Sequence, residues 1–183
     1  MIINKGASIS YLEDYKEGRI KLGLGIGAAL DDYLRFKRKQ LNIILGHDNV
    51  GKTYWFQWYM LNLALRHGLK FCIWSGENQS GQVLRDLIQM YRGKHFKDLS
   101  LQQIYKPEEI LNIFKDVECD ACIIDPFTGL DRSMTYEGNY KFLNICRQFC
   151  NITGKTIYIA SHPNTESGRS GNLYPENHEW KGH

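Results

Sequence analysis

The chain has 183 residues, of which 43% are apolar and 23% charged, and its formal charge is +3 at pH 7. That is an ordinary soluble composition for one domain with a substantial core, and the small positive charge permits nucleic-acid contact without demanding it. No apolar run is long enough to span a membrane and the opening MIINKGASIS lacks a signal-peptide core, so no membrane partner and a cytoplasmic location are expected, the host cytoplasm if the gene is viral.

In chain order, residues 1–21 read as a polar extension or linker. Gly23, Gly25 and Gly27 imitate a dinucleotide fingerprint, but no strand-turn-helix unit surrounds them. They are expected to lead into a short helix over 28–36. Leu41 to Leu45 (LNIIL) reads as a buried strand. The stretch 54–66 reads as a helix, apolar on nearly all sides and so expected to be buried between layers, with Gly68 suited to its terminus. A second strand follows over 71–74, then an amphipathic helix over 82–91. Pro107 with Glu108 and Glu109 marks a helix start, because proline loses nothing in the first turn and the carboxylates face the positive end of the helix. A third strand over 121–124 ends at Asp125, a helix is expected over 139–153, and a fourth strand over 156–160.

Continuous apolar strands alternating with helices imply an α/β fold, a mostly parallel sheet covered on both faces. The core is expected over 22–162, with a polar, glycine-rich tail over 163–183. In such sheets ligand groups gather at the carboxyl ends of the strands. The polar candidates fall there: the segment after Leu45, then Glu77, Asp125 and His162.

Gly46-His47-Asp48-Asn49-Val50-Gly51-Lys52-Thr53 matches G-x-x-x-x-G-K-[ST] in full, between a strand and a helix. The glycines let backbone N–H groups turn inward around a phosphate, and the next helix points its positive end at the same anion. Lys52 is expected on the β- and γ-phosphates and Thr53 on Mg²⁺, which makes ATP or another NTP the expected ligand. Asp125, closing the run ACIID, is the expected second carboxylate of the Mg²⁺ site rather than a simple turn residue. Glu77, in SGEN, is placed to polarise the water that attacks the γ-phosphate, with Asn78 and Gln79 as weaker members of the same network. His162 is placed to sense the γ-phosphate, and His47 is expected to face outward.

Several features have blander readings. The basic run Arg35, Lys37, Arg38, Lys39 is first a solvated face, with DNA or subunit contact as the sharper alternative. Arg169, flanked by glycines, is a candidate for nucleic-acid or neighbouring-nucleotide contact. Trp55, Phe56, Trp58 and Tyr59 are expected in the core and not as a base-stacking platform. Five cysteines without a signal sequence argue against a disulfide framework. Cys119-x2-Cys122 and Cys146-x3-Cys150 have metal-like spacings, but they lie in an apolar run and in a helix, so buried thiols are expected.

The ordered set GHDNVGKT, WSGEN, ACIIDPF and LNICRQFCNITGKTIYIASHPNTE resembles the RecA-fold ATPase domain of DnaB-type replicative helicases, in particular the phage primase-helicase and mitochondrial Twinkle-like group. The similarity runs over about residues 22–165, and the stretch before the first strand, GIGAALDDYLRFKRKQ, also resembles the family's approach to that domain. The resemblance implies a RecA-like P-loop NTPase that forms a hexameric ring and translocates on single-stranded DNA. It makes Lys52 and Thr53 the phosphate and Mg²⁺ ligands, Glu77 the catalytic glutamate, Asp125 the second Mg²⁺-site carboxylate and His162 the sensor. The family pattern continues with a DNA-contact loop, a further strand and an arginine that completes the neighbouring site. No stretch after His162 matches those elements, so a shortened core is expected, with Arg169 the candidate substitute. Two alternatives stay open: a nucleotide-binding accessory protein of a helicase or recombinase with weak turnover, and a recombinase-like or clock-like RecA-fold ATPase.

Overall fold

The computed structural model describes residues 5–17, 22–78, 80–90, 105–131 and 135–163. The chain divides into two compact units, Met1–Lys37 and Arg38–His183.

In the first unit, helix α1 spans Lys5–Lys16 and exposes Ile9, Leu12 and Tyr15. The expected helix over 28–36 is instead a single 3-10 turn, Ala29–Asp32, followed by a bridge between Leu24 and Phe36. The cause is Asp31. Its carboxylate accepts the backbone N–H groups of Ile26 and Gly27, both at 2.7 Å, which holds the chain in a tight turn where a helix would have continued. The backbone hydrogen bond from Ile26 leads the effects that lower the Asp31 pKa. The glycine trio serves this turn. A Cβ on Gly25 would fall 2.3 Å from an Asp31 carboxylate oxygen, and Gly23 and Gly27 have φ of 101° and 77°.

The second unit is built on four parallel strands: β1 (Leu41–Leu45), β2 (Phe71–Ser75), β3 (Ala121–Asp125) and β4 (Thr156–Ser161), in the spatial order β1-β4-β3-β2. The helices are α2 (Lys52–His67), α3 (Ser80–Met90), α4 (Pro107–Asp116) and α5 (Tyr136–Thr153). Side chains alternate across the sheet with the period of two that strands impose. Cys122 and Ile124 of β3 and Ile157 and Ile159 of β4 join Ile110, Leu111 and Phe114 of α4 and Phe142, Cys146 and Cys150 of α5 in one core. On the opposite face Phe56 and Tyr59 of α2 pack edge-on against Tyr158 of β4. Helices therefore cover both faces, and β3 and β4, central in the sheet, are buried along their whole length.

Helix ends follow local chemistry. The Thr135 hydroxyl accepts the Gly138 N–H to cap α5, and Gly68 and Gly154 end α2 and α5 with φ of 67° and 75°. Helix α2 departs from expectation on one face. Phe56, Gln57, Tyr59, Met60 and Leu63 are buried, whereas Tyr54, Trp58 and Leu65 are exposed. A helix on the outside of a sheet buries one stripe only, so an all-apolar helix must leave apolar residues in solvent.

Candidate functional site

Strand β4 lies between β1, which feeds the glycine loop, and β3, which carries Asp125. The carboxyl ends of the three strands therefore bring Lys52, Thr53, Asp125 and His162 to one edge. The Gly46 N–H donates to the Ser161 carbonyl at 3.2 Å, which ties the start of the loop to the end of β4.

The loop closes on itself through its own glycines. Gly51 has φ of 87°, a left-handed position just before α2, and a Cβ on Gly46 would come within 3.1 Å of Val50 and 3.3 Å of Lys52. Asn49 also has positive φ, 60°. The Lys52 ammonium donates to the Gly46 carbonyl at 2.8 Å, to the His47 carbonyl at 2.7 Å, and lies 3.2 Å from His162 Nδ1. Desolvation lowers the Lys52 pKa, opposed by the negative charges of Asp48, Asp125 and Glu77.

Thr53 Oγ1 donates to Asp125 Oδ2 at 2.6 Å, and Asp125 is only 5% exposed. A buried carboxylate beside a hydroxyl makes a pair of hard oxygen donors suited to Mg²⁺. Among the described residues no group of three or more His, Cys, Asp and Glu side chains is arranged to hold a metal. Mg²⁺ takes few protein ligands and fills its shell with water and substrate phosphates.

Ser75 ends β2, and its hydroxyl accepts the Asn78 N–H at 3.1 Å, while the Gly76 N–H donates to the Asp125 carbonyl at 2.9 Å. These bonds anchor the SGEN turn to β3 and bring Glu77 to the same edge. Its carboxylate lies 4.0 Å from His162 Nε2 and is 60% exposed.

His162 is the junction of the site, because its Nδ1 also contacts the Asp48 carboxylate. One ring nitrogen cannot serve both neighbours: it presents a lone pair to Lys52 or a proton to Asp48. The Asp48 contact was not foreseen in the sequence, because the partners lie far apart in the chain and nothing local signals the pairing. His47 also departs from expectation. Its Nε2 is buried and has no hydrogen-bond partner among the described residues.

Arg35 lies in the first unit and donates from Nε to the Asp31 carbonyl at 2.8 Å, and Lys37 closes that unit. Arg38 pairs with Asp120. Arg169, Gln79 and the tail beyond Pro163 lie outside the described residues.

No protein-family model matches the sequence, and no curated protein does. Solved structures do match. A DnaB-like replicative helicase, described with its interactions with primase, superposes with a TM-score of 0.77 at 11% identity, over 99% of this chain and 53% of that one. A second structure, described as an ATPase domain, superposes with a TM-score of 0.69, also at 11% identity, over 95% of this chain and 76% of that one. The fold is RecA-like. At this identity the likeness concerns the fold alone, a P-loop NTPase architecture like that of helicase ATPase domains, and the chain spans about half the length of the first match.

Proposed function

We propose that the chain is the NTP-binding and hydrolysing core of a motor that acts on single-stranded DNA and works as a homo-oligomer, a hexameric ring where the domain is complete. The observation that carries this reading is the 2.6 Å bond from Thr53 to Asp125, which joins the phosphate loop to a deeply buried carboxylate at the sheet edge. The likeness of the fold to helicase ATPase domains supports it.

In this reading the loop amides and Lys52 bind the phosphates of ATP. The Gly46 and His47 carbonyls and His162 now hold the ammonium where a γ-phosphate would compete for it. Thr53 and Asp125 would hold Mg²⁺, which when bound supplies charge neutralisation on the phosphates. Glu77 accepts a proton from the attacking water. His162 reports occupancy. Its Nδ1 faces both Lys52 and the Asp48 carboxylate, so when phosphate draws Lys52 away Asp48 remains as the partner of that nitrogen. Asp48 is thus a positioning residue for the sensor.

The test is NTP hydrolysis by the whole chain with and without single-stranded DNA, alongside a mass measurement of the assembly. DNA-stimulated turnover, lost in Lys52→Ala and Glu77→Gln, is the expected result. Turnover unchanged in both folded variants would refute the mechanism. One observation favours a second reading, an accessory protein that binds nucleotide with weak turnover: Glu77 is mostly exposed and 4.0 Å from His162, a loose hold on the catalytic carboxylate among the described residues. Tight binding without DNA-stimulated hydrolysis would select that reading.

A further inference from the structure

The other end of the same sheet carries a feature that nucleotide chemistry does not use. Cys119 lies in the turn before β3 and Cys122 within it, and their sulfurs are 3.6 Å apart in a thiol–thiol hydrogen bond. Cys122 is fully buried, while Cys119 is half-buried and open to solvent on one side. Cys72 stands beside Cys122 in register on β2. Lys155 fixes a positive charge close by. Its ammonium donates to the carbonyls of Phe114, Lys115 and Val117, at 2.5, 3.0 and 2.6 Å, and its field favours ionisation of Cys119.

We propose that Cys119 and Cys122 form a reversible redox dithiol, oxidised to an intramolecular disulfide by low-molecular-weight disulfides of the glutathione class. Three features point there together: the two sulfurs already face each other, one is reachable and the other is screened, and a lysine charge is held beside the reachable one. Closure needs the sulfurs to move from 3.6 Å to a bond length of about 2.05 Å, a shift within reach of side-chain rotation and a small turn adjustment.

The order of events follows from the asymmetry of the pair. The hydrogen bond between the two sulfurs pulls the Cys119 pKa down, with Lys155 adding to the effect, whereas that same bond and burial push Cys122 up. Cys119 is therefore the attacking thiolate. It attacks one sulfur of the external disulfide, whose S–S bond breaks and releases one thiolate, leaving a mixed disulfide on Cys119. Cys122 then attacks the Cys119 sulfur, the mixed disulfide breaks, and the Cys122 proton leaves with the second external thiol. Two protein thiols are oxidised by two electrons, and one external disulfide is reduced to two thiols.

Cys146 and Cys150 provide an internal control. They are a turn apart on α5, both fully buried, and burial raises both thiols. Cys150 donates its S–H to the Gln40 carbonyl, not to Cys146. With no exposed, ionisable member, that pair has no route to exchange.

The test equilibrates the full chain in buffers of defined oxidised-to-reduced glutathione ratio, quenches by alkylation under denaturing conditions, and reads intact mass and peptide map. The expected result is a fall from five alkylatable thiols to three as the buffer becomes oxidising, a Cys119–Cys122 disulfide peptide, and full reversal by dithiothreitol. Cys122→Ser should stop at a glutathione adduct on Cys119. Five thiols retained in every buffer, or a disulfide joining Cys72 to Cys122, would overturn the proposal. An adduct on Cys122 in Cys119→Ser, with none on Cys119 in Cys122→Ser, would overturn the assigned order. The mapping of the unsubstituted chain decides the main point even if a variant fails to fold, and it requires no nucleotide.

Discussion

The two ends of the sheet handle charge in opposite ways. At the amino end, charged side chains are stapled to fixed structural partners. Lys155 closes the last turn of α4 through three carbonyls, and Asp120 accepts the Lys70 N–H at 2.8 Å and pairs with Arg38. At the carboxyl end the partners are exchangeable. Lys52 rests on two carbonyls of its own loop and on a histidine ring, and Asp125 takes its bond from a hydroxyl. A lysine that completes a helix stabilises the fold, whereas a lysine parked on the carbonyls of a glycine loop is held ready for another anion. Residue type alone does not separate these roles; the partners do.

Breaking that contrast starts at the carboxyl end, where the effects should be largest. Glu77→Gln should lower NTP turnover by about 10²–10⁴-fold while leaving nucleotide affinity within a few-fold, since only proton transfer is lost; single-turnover assays with parallel binding titrations separate the two. Lys52→Ala should weaken nucleotide binding by at least about tenfold, roughly 1.4 kcal/mol, with no loss of secondary structure by circular dichroism. At the amino end, Lys155→Met should do the reverse. It leaves three carbonyls at the end of α4 short of a donor and should lower unfolding free energy by about 1–3 kcal/mol in denaturant titrations, with nucleotide affinity unchanged.

The smallest effect concerns pH. Burial lowers the Lys52 pKa, so just below the ordinary lysine value of 10.5 the unfolded chain binds more protons at this site than the folded one. The Lys52 contribution to stability therefore rises with pH across that alkaline window. Lys52→Met removes the rise, and below the window it should unfold at a higher temperature than the original chain. Thermal melts of the two proteins between neutral and alkaline pH check the sign.

The sequence carried the sheet and the phosphate loop clearly, for physical reasons. LNIIL and ACIID are apolar runs of the kind a sheet covered on both faces requires, and G-x-x-x-x-G-K-T encodes a backbone path that few other residues allow. Asp125 was legible because it closes such a run. The rest depended on distance or on geometry. The turn held by Asp31 replaced a helix because one carboxylate took two backbone donors. The exposed stripe of Tyr54, Trp58 and Leu65 could not be seen in a helix apolar all round, because its rotation is set by the sheet beneath. The burial of His47 Nε2 and the contact from Asp48 to His162 come from the closed path of the loop, which motif spacing does not specify. The sulfur pair at the amino end showed its spacing but not its asymmetry, which rests on Lys155 and on the burial of β3.

Equilibrium binding of ATP with Mg²⁺ to the unsubstituted chain and to Lys52→Ala, by isothermal titration calorimetry on proteins of matched circular dichroism, tests the central claim most directly. Saturable binding by the first and at least about tenfold weaker binding by the second is the predicted result. Equal affinity in both, or no binding by either, would contradict the assignment of Gly46–Thr53 as a working nucleotide site.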